Sequence, residues 1–201
     1  DHRDLHSFPT RRSSDLTLDP WIDRLLAMLE HPPPMPSAAA ELRIYTSLLF
    51  ALSFRRPDPA LAASCIAAIE RLLQMSPVNP RIDAVALLLT HLSNCGNLEQ
   101  AARQLAALGP LVVVITQPWL TNPGPTPLYA ALWWFHIGHY EFKRGAAVQA
   151  RAAYQRSLAI VRDNAMTVPV LSVNCPIGLA SVALALGDVA EAQAQIDAIA
   201  A

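Results

Sequence analysis

The sequence predicts an all-α fold of stacked antiparallel helical hairpins, an α-solenoid, on three observations. Apolar residues recur in blocks of helical length, separated by most of the 17 prolines, and only seven glycines occur among 201 residues. An Asp or Asn stands directly before proline at three of the block starts. A short pattern also recurs along the chain: Gly, then Ala five residues on, then a large side chain four residues further.

The helical blocks run approximately over residues 20–30, 38–54, 59–75, 80–94, 98–114, 128–143, 147–164, 169–186 and 189–200. Asp19-Pro20, Asp58-Pro59 and Asn79-Pro80 place a capping side chain ahead of proline, which the first helical position tolerates because its N–H is unpaired anyway. These pairs mark three helix starts. Arg55-Arg56 and Lys143-Arg144 end their blocks and complement the last carbonyls. Residues 111–115, Leu-Val-Val-Val-Ile after Gly109-Pro110, could be a kinked helix end or a short extended segment. Helix is favoured, because no second strand candidate exists to pair with it.

The repeated pattern joins these helices. GNLEQAARQL from Gly96, GAAVQARAAY from Gly145 and GDVAEAQAQI from Gly187 share it, with the pairs Ala101 and Leu105, Ala150 and Tyr154, and Ala192 and Ile196. A fourth, upstream copy begins at Pro57 and supplies Ala62 and Ile66; FRRP ending at Pro57 aligns with FKRG ending at Gly145. The anchors are 39, 49 and 42 residues apart. Glycine just after a helix accepts the left-handed conformation that ends it, and the next helix then returns antiparallel. The alanine permits close approach within the pair, and the large residue fills the groove toward the neighbouring hairpin. One hairpin leaves a face wet, and stacking several buries it.

At these positions the chain resembles the tetratricopeptide repeat (TPR). The strongest copy has Trp134, Ile137, Gly138, Gly145, Ala150, Tyr154 and Ser157 at the family's offsets, and it departs at Glu141, where the family usually has Tyr. The other copies keep the turn, the Ala and the following apolar position, and every spacing exceeds the roughly 34 residues of a regular repeat. The resemblance therefore implies degenerate, lengthened repeats over residues 38–201. In overall texture the region is similar to the helical sensor part of large ATP-dependent bacterial transcriptional regulators of the maltose-regulator (MalT-like) type.

Residues 1–16, DHRDLHSFPTRRSSDL, differ abruptly from this Ala- and Leu-rich texture. They resemble one reading frame of a common sequencing-library adapter, codon for codon, so they are expected to be a non-native, disordered tail. Residues 17–201 are then the repeat domain, expected to be part of a longer protein. The tail has no apolar h-region for a secretory signal, and Asp1, Asp4 and Asp15 argue against a mitochondrial presequence.

Composition narrows the function classes. Apolar residues make up 53% of the chain, charged residues 15%, and the formal net charge is -1, so charge draws in neither nucleic acid nor an acidic membrane. Each apolar run is interrupted before membrane-spanning length. Cys65, Cys95 and Cys175 are unclustered and lack a CxxC spacing, which argues against a disulfide scaffold or a cysteine zinc site and fits a reducing cytoplasm. No phosphate-binding loop, dinucleotide fingerprint, HExxH or basic helix-turn-helix reader is present.

Two pairs could carry chemistry. His136 and His139, three apart, could share a helix face as metal ligands; no third ligand is identifiable, and aromatic packing with polar tips is the simpler reading. His91 and Cys95, four apart, could be a metal pair or a base beside a thiolate, against the default that Cys95 is a buried, inert core cysteine. Trp119 in the long irregular connection PWLTNPGPTP could anchor a partner or fold back over an apolar groove.

The function expected is a non-catalytic, cofactor-free interaction or regulatory scaffold, with a concave surface from the first helices of successive hairpins receiving a protein, a peptide or a small inducer. Tyr45, Trp134 and Tyr140 are expected to line it, with Trp119 as an added contact. The alternatives are the sensing region of a MalT-like regulator, and a small metal-dependent or thiol enzyme using His136, His139 or Cys95. No direct contact with nucleic acid or membrane is expected. Self-association is, through exposed repeat ends.

Overall fold

The computed structural model describes residues 15–30, 33–107 and 126–200, and the described residues form helices with no strand. The helices are α1 (Asp15–Glu30), α2 (Ala38–Phe54), α3 (Pro59–Leu73), α4 (Val78–Asn94), α5 (Leu98–Ala107), α6 (Pro127–Lys143), α7 (Ala147–Asp163), α8 (Pro169–Ala185) and α9 (Val189–Ala200). The chain divides into two compact units, Asp1–Pro36 and Ser37–Ala201. None of the described helices is long and apolar enough to cross a membrane.

In the first unit α1 starts earlier than its proline suggests. It begins at Asp15 and carries Pro20 inside the helix, so Asp19 is not its cap. A proline there forfeits one backbone hydrogen bond, and the helix runs through it. The Arg24 guanidinium lies 5.1 Å from the centre of the Trp21 ring. Of the expected adapter-like tail, residues 1–14 lie outside the described residues, and Asp15 and Leu16 belong to α1.

In the second unit each helix packs on its successor across a short turn: α2 on α3, α4 on α5, α6 on α7, and α8 on α9. The first members of these pairs also meet each other, α2 with α4, α4 with α6, and α6 with α8, while α7 also packs against α8. One polar contact ties the first pair together and another joins it to the second. The Arg71 guanidinium on α3 meets the Glu41 carboxylate on α2 at 2.8 Å, and the Gln104 amide on α5 donates to Glu70 on α3.

The turns show why glycine recurs where it does. Gly96, Gly145 and Gly187 have φ of 74°, 83° and 80°, the left-handed region. Each sits in a double hydrogen-bond closure of the preceding helix, as where Gly145 N–H donates to Phe142 O at 3.0 Å and Ala146 N–H to Glu141 O at 2.9 Å. Ala165 makes the same closure after α7 at φ 49°, with Ala165 N–H donating to Arg162 O and Met166 N–H to Val161 O. The upstream copy differs. Pro57 cannot adopt positive φ, and Arg55 and Arg56 close α2 by donating to Ala51 O instead.

Helix starts follow the sequence reading in one case and depart from it in another. Asp58 Oδ1 accepts from Leu61 N–H at 3.0 Å with Pro59 leading α3, as the Asp-Pro pair predicts. At α4 the helix begins at Val78, one residue before Asn79, whose Oδ1 accepts instead from the N–H of Thr126 at 3.3 Å. The helix expected over residues 98–114 is described to Ala107, so its β-branched end, like Trp119, lies outside the described residues.

The repeat alanines are uniformly inside: Ala62, Ala101, Ala150 and Ala192 are all buried. Their large partners vary. Tyr154 is buried, Ile66 and Leu105 are half-buried, and Ile196 on α9 is exposed. The core around Tyr154 gathers Ala131, Ala150, Leu171, Cys175, Leu179 and Val182 from three helices, α6, α7 and α8. Ser157, also buried, donates through Oγ to Ala131 O at 2.8 Å and ties α7 to α6.

Candidate functional site

A cavity of about 560 Å³ is lined by one face each of α2, α4, α6 and α8. Helical spacing selects its residues: Phe50 and Phe54 on α2; Asp83, Leu87, Thr90 and Asn94 on α4; Leu132, Phe135, His136, His139 and Lys143 on α6; Val170, Asn174, Ile177 and Ser181 on α8. Steps of three and four residues keep each set on one side of its helix. Polar groups on α4 and α6 make the floor, and apolar groups on α2 and α8 make the walls.

The floor is a row of cross-helix hydrogen bonds. Thr90 Oγ1 and His136 Nδ1 are 2.6 Å apart, and His139 Nε2 donates to Asn94 Oδ1 at 2.9 Å. Burial, with the neighbouring His139 charge, pushes His136 down to about 3. His139 is lowered by burial and then by the Lys143 ammonium. Both imidazoles are therefore neutral near pH 7 and act as hydrogen-bonding groups. Asp83 is shifted the other way, its carboxyl raised by burial against a smaller opposing pull from Arg43.

The two histidines do sit on one helix side, as their spacing suggests, but each engages a different side chain of α4. Among the described residues no group of three or more His, Cys, Asp or Glu converges as a metal site would require. Phe135 meets the His136 ring edge-on at a centroid distance of 4.9 Å.

The walls carry the apolar surface. Phe50 and Phe54, one turn apart, have ring centroids 4.8 Å apart and stay half or more exposed. Val170 and Ile177 on α8 are similarly exposed. Tyr154 of α7 closes the base of the groove between Gly138 of α6 and Gly178 of α8.

The expected binding residues fall elsewhere on the same helices. Tyr45 is half-buried on α2 and does not line the groove. Trp134 is half-buried beneath the Arg156 guanidinium, 5.0 Å from its ring centre. Tyr140 is buried, with the Arg144 guanidinium 5.7 Å from its ring. Helix phase explains Trp134, which is out of step with Leu132, Phe135 and His139, whereas Tyr140, one turn on from His136, stays out of the groove because its side chain is buried. The groove residues that sequence reasoning missed, Phe50 and Phe54 above all, are signalled by two aromatics four apart at the end of α2.

Cys95 overturns its expectation as well. Cys65 and Cys175 are buried, with thiols each pushed up to about 11 mainly by burial, whereas Cys95 is exposed. It is the C-terminal cap of α4, beyond the last turn whose side chains α2 and α6 cover.

Compared with known proteins, the chain matches no family model, no curated protein and no solved structure.

Proposed function

We propose that this chain is a non-catalytic interaction scaffold, a solenoid of TPR-like hairpins whose groove across α2, α4, α6 and α8 receives a peptide segment of a partner protein. One observation carries the reading. Four successive first helices turn matching faces to a single groove, which combines exposed aromatic walls with a polar floor. A peptide in an extended conformation leaves its backbone N–H and C=O groups unpaired, and the amide and hydroxyl groups of Asn94, Asn174 and Ser181 suit them. Phe50, Phe54 and Ile177 suit the peptide's apolar side chains.

The experiment is selection of peptides from a random displayed library on the whole chain, followed by measurement of the selected peptides on the Phe54→Ser and Ile177→Ser variants. Binding that both substitutions weaken supports the reading. Selected peptides that bind both variants unchanged remove it.

A second reading is favoured by the groove's volume, which lies in the range of small-molecule pockets. A small neutral inducer bonded to the His136–Thr90 and His139–Asn94 pairs makes this the sensing region of a MalT-like regulator. A small neutral molecule that stabilises the wild type against heat but not the Asn94→Leu variant, where the displayed library yields no groove-binding peptide, supports that reading over a peptide. Self-association through the α8–α9 end accompanies either reading, since Leu186, Val189 and Ile196 are exposed there. A monomer at all concentrations in sedimentation removes it.

A further inference from the structure

A second cavity, about 340 Å³, lies between the α2–α3 and α4–α5 hairpins, apart from the groove. Leu52, Pro59 and Ile66 make much of its wall apolar, and Ser53, His91 and Cys95 bring a chain of polar groups to it. His91 and Cys95 lie one turn apart at the end of α4, and Ser53 reaches them from α2.

The protons in this chain have a defined order. Ser53 donates through Oγ to Leu49 O at 2.6 Å, which commits its only proton. Its 2.6 Å contact with His91 Nδ1 must then be Nδ1–H donating to the hydroxyl oxygen. That fixes the tautomer and leaves the Nε2 lone pair facing Cys95 Sγ at 3.7 Å, where the thiol donates. Burial lowers the His91 pKa, so the imidazole is neutral at neutral pH and free to take a proton. The other two cysteines lack this arrangement. Cys175 donates to the Ser157 hydroxyl at 3.6 Å, and both it and Cys65 are buried.

We propose that Cys95 is a modification site, a nucleophilic thiol that undergoes thiol–disulfide exchange with small uncharged disulfides entering the cavity between the first two hairpins. In the step, the Cys95 S–H proton passes to His91 Nε2 as the sulfur attacks one sulfur of R–S–S–R. The Cys95–S–S–R bond forms, the original S–S bond breaks, and the departing thiolate takes the proton from His91 to leave as R–SH. The small disulfide is the oxidant. Ser53 is a positioning residue, acting through the tautomer of His91, and the apolar wall favours uncharged R groups.

The test treats the whole chain with 2-hydroxyethyl disulfide near neutral pH and follows each cysteine by peptide mass spectrometry. Cys95 is expected to be modified first, and His91→Gln to slow it at least about tenfold, within the usual contribution of a positioned base. Ser53→Ala is expected to slow it less, with a rate between the two. If Cys95 reacts equally fast in the wild type and His91→Gln, accessibility alone sets its rate and the proposal fails. If His91→Gln unfolds, Cys65 and Cys175 become reactive with it, and Ser53→Ala decides: a rate equal to the wild type overturns the proposal.

Discussion

Tyr154 and Gly178 are in mutual contact so close that no side chain fits between them: a Cβ on Gly178 would stand 2.5 Å from Tyr154 Cζ. From the other side, a Cβ on Gly138 would stand 2.7 Å from the same ring. The ring of α7 is thus clamped between the backbones of α6 and α8, and the two glycines allow those helices to close on it.

Gly178→Ala is therefore expected to destabilise the fold. Overpacking costs roughly 1–3 kcal/mol, offset by about 1 kcal/mol of better helix propensity, for a net loss of about 1 kcal/mol. In a Tyr154→Ala background the clamp is empty and the same substitution should become stabilising. Urea denaturation of the four proteins of the cycle checks the change of sign.

The left-handed turns give a second pair of opposite outcomes. Gly145→Ala adds a Cβ with no neighbour within 4 Å, so its expected loss of about 1 kcal/mol is backbone strain alone. Ala165, at φ 49°, already carries that strain, and Ala165→Gly should gain up to about 1 kcal/mol. Thermal melts of both variants, read by circular dichroism, test this.

His136 sets an acid limit on stability. Its folded pKa, about 3, lies below its ordinary value of 6.5, so between these the unfolded chain binds the proton more readily. The stabilisation is fully present above pH 6.5 and is lost as pH falls toward 3. At about 1.4 kcal/mol per pKa unit the upper bound is about 5 kcal/mol. His136→Gln should flatten stability across this window, as measured by urea midpoints at several pH values.

The groove walls should matter little to folding. Phe50 and Phe54 are 50% and 57% exposed, so Phe54→Ser is expected to cost about 1 kcal/mol or less, as partial burial implies. The same substitution should abolish binding of a groove-directed peptide. A large loss of stability without a loss of binding would contradict the groove assignment.

Much of the helix pattern was legible because its signals are local. Pro59 behind Asp58, and the glycines at 96, 145 and 187, act through their own backbone, and the structure places them as read. Pro57 keeps the register of these glycines, since the following helix starts two residues later in all four copies, but proline cannot take their left-handed conformation, so α2 closes differently. The candidate site was less legible, because conspicuous aromatics drew the reading to Tyr45, Trp134 and Tyr140. The groove follows the helix phase of plainer residues, Thr90, Asn94 and Leu132 among them, beside His136 and His139, whose spacing does mark that face. Nothing local in the sequence flags Gly178, because its reason is a ring 24 positions earlier in the chain, on another helix.

Three polar links tie α4 to α6, and their partners are 47, 46 and 45 residues apart, from Asn79–Thr126 through Thr90–His136 to Asn94–His139. Both helices therefore run the same way, and each link sits at nearly the same register. A piston stroke of one helical turn, about 5.4 Å, would have to rupture all three together. Pivoting about this row can leave the links made. The row thus acts as an axle: it resists sliding of α4 along α6 and leaves rotation about their common seam as the movement that costs least.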